Sequence, residues 1–133
     1  MRGFGGIKKV RGPVVPVKCF EDNSLVNAAV DRPGEGRVLV VDGGASLRSA
    51  LLGGNLGAAA AKNGWSGVVI DGCVRDVAEL AQCRIGIRAL AAMPLPTEKR
   101  QGGQRDIAVQ VQGAWVRHDD WLYSDEHGMV LLA

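Results

Sequence analysis

The chain reads as an α/β fold, a single domain with a β-rich C-terminal part, and its apolar patterning carries that reading. Two nearly continuous apolar runs, residues 37–41 and 67–70, have the composition of strands covered on both faces. Stretches with apolar residues at helical spacing lie beside them, and beyond residue 103 only short β-type runs separated by turn residues remain. A length of 133 residues suffices for one core and is too short for two ordinary domains.

Residues 14–19 are β-branched and punctuated by Pro16, which predicts an early or edge strand. Residues 21–30 predict a helix capped by Asp22 or Asn23 and broken by Asp31-Arg32-Pro33-Gly34. The strand over 37–41 ends in Asp42-Gly43-Gly44. Residues 47–62, rich in Ala and Leu after a candidate Ser46 cap, read as a helix interrupted at Gly53-Gly54. The preferred form is a turn at those glycines and a helix from near Asn55, stopped by Asn63-Gly64, with backbone N–H groups at its start forming an anion site. The strand over 67–70 ends at Asp71-Gly72, a short helix covers 76–81 and a strand covers 85–90. Residues 93–103 read as a loop bearing Pro and Gly, followed by strands over 107–111, 114–116, 121–123 and 129–132.

The composition, 47% hydrophobic and 23% charged, is that of an ordered globular protein. Lys and Arg total 16 against 14 Asp and Glu, and the net charge of +2 is dispersed, so direct nucleic-acid binding is not expected. Three cysteines without a C-x-x-C pair argue for a reducing compartment, and Cys73 reads as a small buried hydrophobe. The start of the chain does not resemble a signal peptide, and no run approaches the ~18 apolar residues of a membrane span. A cytoplasmic protein without membrane contact is the expectation.

The segment from Gly67 through Gly72-Cys73-Val74-Arg75-Asp76 carries the chemistry, because a buried-type strand delivers an Arg and an Asp side by side. Arg offers a planar fork that matches a carboxylate, and Asp is a hard oxygen ligand suited to Mg²⁺ or Mn²⁺. A small keto acid presents both needs. The plainer alternative makes Asp76 the N-cap of the next helix, three residues before Glu79, and Arg75 a surface arginine.

Other motifs fall away. The glycine pairs at 5–6, 43–44 and 53–54 complete neither G-x-G-x-x-G nor the P-loop pattern. Asp42-Gly43-Gly44-Ala45 is only faintly similar to the glycine turn of S-adenosylmethionine-dependent methyltransferases, for which the chain is short. His118 and His127 stand among Asp119, Asp120, Asp125 and Glu126 at no standard metal spacing, and residues 125–128 read as a hairpin connection.

Taken together, Val17-Lys18-Cys19-Phe20-Glu21-Asp22-Asn23-Ser24-Leu25, Gly36-Arg37-Val38-Leu39-Val40-Val41-Asp42-Gly43-Gly44 and the segment ending in Arg75-Asp76 closely resemble the RraA-like family. That family contains regulators of ribonuclease E activity and class II 4-hydroxy-4-methyl-2-oxoglutarate aldolases. Ile85-Gly86-Ile87-Arg88-Ala89-Leu90, Arg105-Asp106 and Trp121-Leu122-Tyr123-Ser124-Asp125-Glu126 extend the resemblance over nearly the whole chain. It implies a swivelling β/β/α domain assembled as a homotrimer, with sites between neighbouring subunits. It further implies that Arg75 binds a pyruvyl carboxylate, that Asp76 holds a divalent metal, and that Gly53, Gly54, Asn55 and Leu56 form the substrate loop.

The implied activity is metal-dependent cleavage of 4-hydroxy-4-methyl-2-oxoglutarate to pyruvate, with oxaloacetate decarboxylation at the same site. The alternative is a non-catalytic regulator that docks on ribonuclease E or a similar RNA-processing enzyme. The chain departs from the family at Gly54, where Asp is usual, and at His118-Asp119, where Pro-Gly normally precedes the Asp matching Asp120. It also begins near the family's Phe-Gly-Gly region, so most of the family's N-terminal helical segment is expected to be absent.

Overall fold

The apolar run expected at 37–41 is a strand shifted by one residue, β3 (Val38–Asp42), whose five residues are all buried. A computed structural model describes residues 1–97 and 99–133 of the chain. Before β3 come β1 (Arg2–Gly3), β2 (Val10–Lys18) and α1 (Ser24–Val30); after it come β4 (Ala50–Leu52), α2 (Gly54–Lys62), β5 (Gly67–Val74), α3 (Val77–Leu80) and β6 (Gly86–Ala92). The C-terminal part is β7 (Gln104–Arg105), β8 (Val109–Val111), β9 (Ala114–Val116), β10 (Trp121–Asp125) and β11 (Gly128–Leu132).

The main sheet runs β1-β6-β5-β3-β2-β10-β11, with β4 also on β5 and β7 on β2, and it curls into a half-barrel. The β2-β3-β5-β6 centre is parallel, while β1, β7, β10 and β11 join antiparallel. A parallel strand needs cover on both faces, and the side chains divide accordingly. Leu39 and Val41 of β3, with Val68 and Ile70 of β5, join a core under the helices that includes Val26, Val30 and Ala60. Val38, Val40 and Val69 point the other way, into a second core closed by the β8-β9 hairpin and Leu122 of β10. This is the swivelling β/β/α arrangement that the resemblance implied.

Several boundaries differ from the sequence reading. The largest difference is β4: residues expected to be helical are instead a buried three-residue strand, parallel to the end of β5, with Ala50 opposite Cys73 and Leu52 opposite Val74. Helix-forming composition is a weak preference that sheet pairing and burial of Leu51 and Leu52 override. Ser46 caps no helix; its Oγ accepts from the Arg48 N–H. The helix begins at Gly54, one residue before the expected start, and stops as expected, with Gly64 in the left-handed region at φ 83.

β5 also runs four residues past the expected Ile70, to Val74. Its register against β6 shifts between Ile70 and Cys73, so Asp71-Gly72 is an irregularity within the strand rather than its end. β2 starts at Val10 rather than 14, β10 continues to Asp125, and the strand expected from residue 107 begins at Val109. Asp125 and Gly128 pair across the expected hairpin. The expected loop over 93–103 contains Glu98, which lies outside the described residues. No helix among the described residues is long and apolar enough to cross a membrane.

The start of α1 shows how a carboxylate organises two distant segments. Asn23 occupies the N-cap position without a side-chain cap bond, whereas Asp22 Oδ1 accepts from Ser24 N and Ser24 Oγ. Asp22 Oδ2 accepts from the N–H groups of Arg100 and Gly102. Burial alone would raise this carboxyl's pKa, but the Ser24, Gly102 and Arg100 donors outweigh it and hold it below its ordinary value. A lowered native pKa gives stability that is present above the unfolded carboxyl's pKa and is lost as pH falls through the native value. Asp22→Ala is therefore expected to cost about 2 kcal/mol at pH 7. The difference from the native protein should shrink toward pH 3, as measured by urea unfolding at both pH values.

Candidate active site

Because all eight residues of β5 are buried, the strand acts as a fixed rod that projects the next two residues from its end. The Arg75 N–H donates to Leu52 O at 2.9 Å, so the exit of β5 is tied to the end of β4, immediately before Gly53-Gly54. Asp76 then takes a left-handed conformation, φ 58 and ψ 47, which turns the chain into α3. Asp tolerates this region better than most residues, at a cost on the order of 1 kcal/mol.

Asp76 stands at the N-cap position of α3, but its side chain makes no cap bond there. Its Oδ2 instead accepts from the Gly54 N–H at 2.9 Å, 22 residues away in sequence. Asp76 thus caps a different helix, α2, whose own N-cap residue Gly53 has no side chain to do so. The Arg75 guanidinium approaches the same oxygen, Nη1 to Oδ2 3.7 Å, with both side chains partly exposed at 41% and 33%. At that distance and exposure the pair adds little stability. The guanidinium fork has no carboxylate oxygen within hydrogen-bond distance among the described residues.

Gly53 is required by space rather than by backbone conformation, since its φ of −112 is ordinary. A Cβ on it would lie 2.9 Å from Asp76 Oδ2, 3.0 Å from Arg75 Nε and 3.2 Å from Arg75 Cζ. A Cβ on Gly54 would overlap the Glu79 carboxylate and lie 3.0 Å from Glu79 Cβ and Cδ. The structure therefore gathers Gly53, Gly54, Arg75 and Asp76 into one partly exposed cluster and adds Glu79. Asn55 is exposed at the α2 start, while the half-buried Leu56 side chain packs against the core. Sequence reasoning treated Glu79 only as a possible capping partner of Asp76. The signal that could have found it was the pair of glycines at 53–54, which vacates the space its side chain fills.

Other titratable groups are arranged differently. Burial pushes the Cys73 thiol up, and burial followed by Glu79 pushes Cys83 up. Burial, with Asp22 and Asp42, raises Cys19 to about 12. All three therefore favour the inert thiol over the thiolate nucleophile. A concavity of about 800 Å³ lies inside the curled sheet around Arg88, Val111, Ser124 and Leu131, and neither Arg75 nor Asp76 lines it.

The donor set fits a divalent metal on its own chemistry. Asp76 is partly exposed, engages Gly54 through one oxygen, and among the described residues makes no hydrogen bond through Oδ1. No group of three or more His, Cys, Asp or Glu side chains able to hold a metal occurs among the described residues. One hard carboxylate at an open cleft suits Mg²⁺ or Mn²⁺, which take one or two carboxylates and complete their shells with water and substrate oxygens. It does not suit a closed structural zinc site.

The sequence model of the RraA-like family (Aldolase/RraA) matches residues 1–131. A protein of Albidiferax ferrireducens, provisionally named a 4-hydroxy-4-methyl-2-oxoglutarate aldolase, is 69% identical over 99% of this chain and 81% of its own length. One of the same name from Burkholderia multivorans is 53% identical over 100% of this chain and 81% of its own. The solved structure of the RNA-processing inhibitor RraA from Thermus thermophilis superposes with a TM-score of 0.97 at 46% identity, covering 98% of this chain and 80% of that one. Sequence match over almost every residue and superposition of the same curled sheet agree: the chain belongs to the RraA-like, Aldolase/RraA family.

Proposed function

We propose that this protein is a divalent-metal-dependent lyase that cleaves 4-hydroxy-4-methyl-2-oxoglutarate to two molecules of pyruvate and also decarboxylates oxaloacetate. The observation that carries the reading is the cluster in which the Arg75 guanidinium and the Asp76 carboxylate close on Gly53 at the start of α2. The names of relatives at 69% and 53% identity support the substrate. Arg75 holds the carboxylate next to the keto group by its fork, which fixes the substrate's orientation. The unbonded N–H groups in the first turn of α2 receive further negative charge. Asp76 would hold Mg²⁺ or Mn²⁺, and the bound cation would supply Lewis-acid polarisation of the C2 carbonyl.

In the aldol reaction the C3–C4 bond breaks with its electron pair left on C3, the C4 hydroxyl loses its proton to become the ketone of one pyruvate, and protonation of C3 gives the other. Negative charge spreads from C3 to the C2 oxygen, near the guanidinium of Arg75, which favours the transition state over the ground state. Oxaloacetate loses CO₂ instead and leaves the same charge to be stabilised. We place the working unit in a homotrimer in which neighbouring subunits complete each site.

A regulatory reading is favoured by one observation, the close match to a structure described as an RNA-processing inhibitor. Trp115, Trp121, Tyr123, Val130 and Leu132 are exposed on the C-terminal strands, a surface suited to a ribonuclease E-type partner or to another copy of the chain. Light scattering tests the trimer. The two functions separate at Asp76, which a surface-docking regulator does not need.

Pyruvate release from both substrates with Mg²⁺ or Mn²⁺, and its loss on adding EDTA, tests the lyase reading. Asp76→Asn keeps an acceptor for the Gly54 N–H yet removes the charge, and is expected to lower turnover roughly 10²- to 10³-fold. Metal-independent turnover, or full activity in that variant, overturns the reading. Gly53→Ala places a methyl against Arg75 and Asp76 without backbone strain. It is expected to raise KM about tenfold with little change in thermal midpoint, as measured by steady-state kinetics and calorimetry.

A further inference from the structure

Two carboxylates flank Gly54, and the proposed mechanism uses only one. Asp76 accepts from the Gly54 N–H at 2.9 Å. On the Cα side, Glu79 Cβ and Cδ each lie 3.0 Å from the position a Gly54 Cβ would take, and the carboxylate itself overlaps that position. The first turn of α2 contains no acidic residue, so Glu79 of α3 brings to its start a negative charge that α2 does not supply. The side chains that close on Gly53-Gly54 are thus Arg75, Asp76 and Glu79.

Aldol cleavage requires removal of the C4 hydroxyl proton, so the cleft needs a base. The Arg75 guanidinium offers only donors and cannot serve. Asp76 is engaged by Gly54 and assigned to the metal. Cys83, whose Sγ donates to Glu79 O, holds its proton. Glu79 is exposed, so a proton taken up there can leave to water.

We propose that Glu79 is the catalytic base that accepts the C4 hydroxyl proton in aldol cleavage, seated in the space left by the absent side chain of Gly54. This rests on the lyase reading and deepens it. The proton moves from the C4 oxygen to a Glu79 carboxylate oxygen, the C4–O bond becomes a carbonyl, and the C3–C4 pair goes to C3. No oxidant or further reactant is consumed. Oxaloacetate has no hydroxyl to deprotonate when it loses CO₂, so the two reactions depend differently on Glu79.

Glu79→Gln, isosteric and uncharged, is therefore expected to lower kcat for aldol cleavage about 10²-fold. Its effect on oxaloacetate decarboxylation should be under about threefold, and Mn²⁺ affinity by isothermal titration should stay within about twofold of the native protein. Moving the carboxylate in the double variant Gly54→Asp with Glu79→Ala should restore at least about tenfold of the aldol activity lost in Glu79→Ala alone. Equal loss of both activities, or loss of Mn²⁺ affinity, makes Glu79 a metal or substrate holder and overturns the proposal. So does full aldol activity in Glu79→Gln. Native protein inactive on both substrates with metal overturns the lyase reading and this inference together, whereas an active native protein with an indifferent Glu79→Gln overturns the inference alone.

Discussion

The site depends on the burial of β5. Eight consecutive buried residues, paired in parallel with β3, β4 and β6, fix that strand in the sheet. Its side chains feed two cores, with Val68, Ile70 and Val74 on the helical face and Val69 on the other. A one-residue slip would exchange those faces and bury the wrong set. Arg75 and Asp76 inherit this rigidity because they follow immediately, and the Arg75 N–H to Leu52 O bond ties them to the neighbouring strand.

The cleft is built from modest interactions rather than one strong one. The Arg75–Asp76 approach of 3.7 Å is too long and too exposed to contribute much to stability, which leaves the guanidinium available for a ligand. The bond from the Gly54 N–H to Asp76 is different, since it satisfies an N–H at a helix start that has no side-chain cap of its own. Asp76 reaches it from a left-handed backbone. Strain held at such a residue is typical of sites where a side chain must be aimed rather than merely buried.

Glycine at 53 and 54 has one physical meaning in two places: each Cα is a surface against which a charged side chain lies. Gly53 lets Arg75 and Asp76 approach, and Gly54 lets Glu79 approach. Replacing a residue at the centre of a cleft by glycine thus redistributes its space to neighbours. With no side chain at position 54, the Glu79 carboxylate occupies that space and lies near the Asp76 carboxylate's partner Gly54.

The sequence by itself determined the α/β class, the two central strands, the stop of α2 at Asn63-Gly64, the hairpin at Asp125 to Gly128, and Arg75-Asp76 as the residues to watch. Those features are encoded locally, in runs of apolar residues and in turn residues whose preferences act over a few positions. The tertiary structure decided that residues 50–52 are a strand rather than part of a helix, that β5 continues to Val74, and that Asp76 caps a helix 22 residues upstream instead of its own. It also decided that Glu79 sits over Gly54 and that the half-buried Leu56 packs against the core. Each of these depends on pairing or contact between segments distant in the chain. Local propensity, worth at most ~1 kcal/mol per residue, yields there to burial and sheet pairing worth more.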